Sequence, residues 1–154
     1  MLKHVKAIAM TLLIVAVIVT ATVIIHESGH FAAGTLLGCK DVQVTLFDEH
    51  LETYTKMSCG SINPLEFNAI ALGGLMFILP LSVALFLFKK GNYSMIIFGF
   101  NLVISSSDYT YFLPSAAVYA SIIAGALTVI YGESLLVDRY TKYLGAIGSY
   151  SQNQ

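Results

Sequence analysis

The chain has 154 residues, 56% of them hydrophobic and 11% charged, with a formal net charge of -1. Soluble domains carry about 25% charged residues, so this composition excludes an ordinary soluble domain. The lack of a basic excess excludes a nucleic-acid-binding surface. The length allows a single domain over residues 1–154, and a mean hydropathy of +0.76 places it in a membrane.

In chain order, four apolar segments reach the roughly 20 residues that a helix needs to cross about 30 Å of hydrocarbon. They cover residues 7–37, 67–88, 94–112 and 115–137. The expected fold is an all-α polytopic membrane protein of about four transmembrane helices, with a small β-hairpin after the first. The first segment exceeds a perpendicular crossing, which predicts tilt or protrusion into an embedded cavity. Lys3 and Lys6 ahead of it resemble the start of a signal peptide. The apolar run outlasts the usual h-region of about 7–15 residues, so a retained helix is the simpler reading.

Gly38 suits the left-handed stop of that first helix. Val42 to Phe47 is β-branched and roughly alternating, Asp48-Glu49-His50 makes a polar turn, and Leu51 to Ser58 returns, giving a hairpin at about 41–59. Centring it on Glu49 pairs residues whose numbers sum to 98, which sets Cys39 opposite Cys59. A bridge there suits an oxidising exterior, whereas in the cytoplasm both cysteines stay reduced. Gly34 with Gly38, Gly73-Gly74, and Ala116, Ala120 and Ala124 at four-residue spacing predict close helix packing. Lys3, Lys6, Lys89, Lys90, Arg139 and Lys142 share one side under four spans, which predicts cytoplasmic termini and an external loop from Cys39 to Asn63.

The most informative motif is His26-Glu27-Ser28-Gly29-His30, which follows nineteen uncharged residues, Ala7 to Ile25. On a helix, His26 and His30 lie one turn apart on one face, about 40° from eclipsed. That is the spacing two imidazoles need to hold one Zn²⁺, with the intervening Glu27 set to act as general base. Three ionisable groups in lipid cost several kcal/mol each unless something compensates them, and a divalent metal does so.

A catalytic zinc takes three protein ligands and keeps one position open. Asp108 is the expected third. His26 comes twenty residues after Lys6 and Asp108 eighteen after Lys90, two clusters that anchor the same face. Segments one and three then run parallel, and the two side chains differ in depth by about 3 Å. Glu66 and Glu133 fit poorly in depth, and His50 and Glu52 belong to the loop. One Zn²⁺ per chain, on His26, His30 and Asp108, is the expected cofactor.

With Ile25-His26-Glu27-Ser28-Gly29-His30-Phe31-Ala32-Ala33, a short hairpin, and Asn101-Leu102 ahead of Asp108, the sequence resembles the site-2 protease family of intramembrane zinc metalloproteases. The resemblance covers the catalytic core, which is most of the chain. Around Asp108 the family has prolines and a glycine that this chain lacks.

The resemblance implies hydrolysis of peptide bonds in or near transmembrane segments of membrane-protein substrates within the lipid bilayer. Glu27 would be catalytic, and the location an integral, multi-pass protein of the cell membrane. It also implies a site nearer the cytoplasm, opposite to the charge count. Asn101 or Tyr109 is expected to stabilise an oxyanion, Ser105 to Ser107 to admit water, and the strands to hold an unwound substrate by edge pairing. Two alternatives remain: a catalytically inactive metal-binding membrane protein that binds client helices, and a small metal transporter.

Overall fold

The computed structural model describes residues 2–50 and 52–150. Helix α1 (Leu2–Leu36) leads into a hairpin of β1 (Lys40–Thr45) and β2 (Tyr54–Ser58). Helices α2 (Pro64–Ala71), α3 (Gly73–Leu87), α4 (Gly91–Ile104), α5 (Ser106–Tyr109) and α6 (Ser115–Tyr150) follow. Two helices are long and apolar enough to cross a membrane, α1 over His4–Leu36 and α6 over Ser115–Ala146. The α2–α3 pair makes a third if its two arms, bent by 46°, count as one span. Helix α4 has 14 residues, about 21 Å, shorter than a full crossing. The expected third segment is thus divided, its chain turning at Ser105 into the one-turn α5.

Helix α1 is apolar all round, so hydrophobicity does not mark its inner face. Small and polar residues do. Ala7, Thr11, Thr22, His26, Gly29, His30 and Gly34 form the buried stripe, while Leu12, Leu13 and Val17 are exposed, as suits contact with lipid. The helix ends as the sequence predicts. Gly38 has φ +76°, its N–H donates to the Thr35 carbonyl at 3.1 Å, and the Cys39 N–H donates to Gly34 at 2.9 Å. This pair of bonds is a Schellman stop.

The hairpin pairs Lys40 with Ser58, in the expected register, and Cys39 is disulfide-bonded to Cys59 with Cα atoms 4.3 Å apart. A bulge between Lys40 and Gln43, with Asp41 at φ 52°, then advances the register by one, so Val44 faces Thr55 and Thr45 faces Tyr54. The bulge adds one residue on β1 and twists the strand locally. Thr55 and Met57 turn inward towards α1, while Tyr54 and Lys56 are the more exposed.

Helix α6 packs along α4 backbone to backbone. A Cβ on Gly99 would sit 2.6 Å from the Gly125 carbonyl oxygen, and one on Gly125 would sit 2.5 Å from that of Gly99. The buried face of α6 runs through Val118, Gly125, Gly132 and Leu136. Ala116, Ala120 and Ala124, expected at the packing face, are exposed instead. Gly125 lies one residue, about 100°, from Ala124, and a residue without Cβ allows the closer approach. Gly125→Leu is therefore expected to lower stability in detergent by about 1–3 kcal/mol through overpacking. Ala124→Leu should stay within about 0.5 kcal/mol of wild type. Denaturant unfolding followed by circular dichroism distinguishes the two.

Candidate metal centre

His26 and His30 project from one face of α1, both buried, with Nε2 atoms 3.1 Å apart. Each ring is fixed from behind. His30 Nδ1 lies 2.7 Å from the Ile70 carbonyl oxygen, which can only accept, so Nδ1 carries the hydrogen. His26 Nδ1 lies 3.0 Å from Asn101 Oδ1 and donates in the same way. A neutral imidazole has one N–H, so both Nε2 atoms present bare lone pairs to each other.

Asp108 completes the group. Its Oδ2 lies 3.3 Å from His26 Nε2 and 3.5 Å from His30 Nε2. That oxygen is buried and has no hydrogen-bond partner. With both rings neutral, three acceptor atoms form a triangle with edges of 3.1, 3.3 and 3.5 Å. Unscreened, they repel one another. A tetrahedral Zn²⁺ with bonds of about 2.0–2.1 Å spaces its donors by roughly 3.3–3.4 Å. The donor set, its spacing and the orphaned carboxylate oxygen all fit a divalent cation. Among the described residues this is the group that could hold one.

The fold's irregular features converge here. The bend between α2 and α3 places the Ile70 carbonyl in the last turn of α2, where it accepts from a backbone N–H of the helix cap and, on its second lone pair, from His30. Gly73 packs on Gly29, where a Cβ would come 2.7 Å from the Gly29 oxygen, and a Cβ on Gly74 would collide with the His26 ring. The end of α4 at Ser105 starts α5 and turns Asp108 towards the histidines. Glu27 stands beside the triangle, 7% exposed, and its Oε2 accepts a hydrogen bond from Thr55 Oγ at 2.7 Å.

A cavity of about 510 Å³ opens on this cluster. Its polar end carries His26, Glu27, His30 and Asp108, and Met57, Phe67, Ile70 and Tyr111 give it apolar walls. The Phe67 and Tyr111 rings meet edge to face with centroids 5.4 Å apart.

Several expected roles change. Asn101 is fully buried behind His26 and does not line the cavity, so it holds the His26 ring and is not positioned to stabilise an oxyanion. Tyr109 is 6% exposed and also lies off the cavity, whereas Tyr54 and Tyr111 line it. Of the three serines only Ser107 lines it; Ser105 is buried, 3.4 Å from Asn101 Oδ1. Glu66 is taken up in the capping box of α2, and His50 sits beside Glu49 in the hairpin turn. Thr55 and the Ile70 carbonyl were not expected. The alternation of β2 would have put Thr55 on one face of the strand, but a backbone carbonyl leaves no mark on a sequence.

No family model, curated protein or solved structure matches the chain, so the functional reading rests on its own residues. Removing the Nδ1 acceptor should loosen the site without touching its ligands. Asn101→Leu is expected to weaken Zn²⁺ affinity about 10- to 100-fold, as loss of such outer partners does. Competition with a chromophoric chelator measures it.

Proposed function

We propose that the protein is an intramembrane zinc metalloprotease, as its resemblance to the site-2 protease family implies. The observation that carries this reading is the triangle of bare acceptors beside a buried glutamate, at one end of a cavity between apolar helices. The location is an integral, multi-pass protein of the cell membrane, with α4 and α5 together making a further, shorter crossing.

His26, His30 and Asp108 hold one Zn²⁺ per chain. When bound, the ion supplies Lewis acidity, which polarises a carbonyl and lets water lose a proton near neutral pH. Glu27 takes the proton of the attacking water and returns it to the leaving amine. Asn101 and the Ile70 carbonyl keep both imidazoles in the tautomer that presents Nε2. The apolar walls at Met57, Phe67 and Ile70 favour a transmembrane segment of a membrane-protein substrate. Such a segment must unwind locally to expose its peptide bonds, and the cavity gives it room beside the hairpin.

A second reading follows from the residues after Asp108. Tyr109 stands where the family has glycine, and the family's prolines are missing. A catalytically inactive metal-binding protein that captures client helices would keep the same ligands. Glu27→Gln separates the two. It is expected to retain one zinc per chain and to lower kcat on a transmembrane peptide in detergent by at least about 100-fold. Undiminished cleavage by the variant would remove Glu27 from the mechanism, and zinc without turnover in the wild type would favour the second reading.

A further inference from the structure

The hairpin docks on α1 through two side chains of one strand face. Met57 packs on Gly34, where a Cβ would come 2.6 Å from the methionine sulfur. Thr55, two residues earlier on β2, reaches Glu27, seven residues earlier on α1. Positions two apart on a strand share a face, and positions seven apart on a helix nearly do. The contact is therefore a register between strand and helix, and the Cys39–Cys59 bond ties the far end of β2 to the stop of α1.

At the near end, Thr55 Oγ lies 2.7 Å from Glu27 Oε2 and 3.1 Å from the Glu27 carbonyl oxygen. A hydroxyl has one hydrogen, and the shorter contact, to a carboxylate, is the stronger. Glu27 Oε2 is thereby engaged, while no described residue is hydrogen-bonded to Oε1. A glutamate has three side-chain torsions and stays in one place only where something holds its end. Among the described residues no other side chain is hydrogen-bonded to this carboxylate.

We propose that Thr55 is a positioning residue for Glu27. Its hydroxyl fixes one carboxylate oxygen, so that the other faces the cavity next to the histidine and aspartate cluster. The hairpin is then a working wall of the site, beyond any part in receiving substrate. This inference rests on the protease reading for the task of Glu27, but the contact itself is measurable without turnover.

The experiment uses the full chain in detergent, with Zn²⁺ bound, as wild type, Thr55→Val and Thr55→Ser. Thr55→Val keeps the shape and removes the hydroxyl; Thr55→Ser keeps the hydroxyl. The first readout is infrared. The carboxylate stretch of Glu27, isolated by difference against Glu27→Gln, should move in Thr55→Val and return in Thr55→Ser. The second is kinetic. Thr55→Val should lose about 10- to 100-fold in kcat, the scale of a misplaced catalytic group, with KM within about twofold and zinc content unchanged. Thr55→Ser should recover most of the rate. A Glu27 band that does not move in Thr55→Val overturns the proposal, as does a wild-type kcat in that variant. Should the wild type cut no transmembrane peptide while the band still moves, the protease reading fails and the Thr55 contact stands.

Discussion

Two hydrogen bonds made behind the paired histidines set the chemistry of this site. Because Asn101 and the Ile70 carbonyl each take the Nδ1 hydrogen, neutral His26 and His30 confront each other with lone pairs at 3.1 Å, and Asp108 adds a third acceptor. In an apolar bundle such a group is unfavourable by itself, since burying unpaired acceptors costs about 1–3 kcal/mol each or more. A cation at its centre turns the same arrangement into a favourable one. Two of the chain's helix breaks lie beside this cluster: the Ile70 carbonyl stands in the last turn before one, and Asp108 follows the other.

Close approach makes the convergence attainable. Helix α1 reaches the α2–α3 bend only because Gly29, Gly73 and Gly74 carry no Cβ there, and α4 is held to α6 through Gly99 and Gly125. In lipid, apolar side chains gain little by meeting one another, so association depends on such intimate contacts and on buried polar groups. The pair of hydrogen bonds between Ser82 and Ser94, which joins α3 to α4, belongs to the same logic.

Much of this was legible in the chain. The pentad stood out because histidine and glutamate are rare in an apolar run, and matching depths from two lysine clusters singled out Asp108. Gly38, the hairpin and the cysteine pair followed from turn chemistry and strand alternation. What was not legible has a common physical cause. An apolar helix in lipid has no hydrophobic face, so Ala116, Ala120 and Ala124 looked as suited to packing as Gly125, one residue away. The break between α2 and α3 lies inside a stretch that composition alone reads as one span. The Ile70 carbonyl acts through its backbone, and the Thr55 contact depends on how the hairpin docks on α1, which strand alternation alone does not give.

The metal content of the purified protein tests the central claim most directly. Mass spectrometry of wild type, His26→Ala and Asp108→Ala, each purified without added chelator, counts zinc per chain. One equivalent in the wild type and little or none in both variants is the expected result. A metal-free wild type, or an Asp108→Ala protein that keeps its full equivalent, would contradict a cation held by these three side chains.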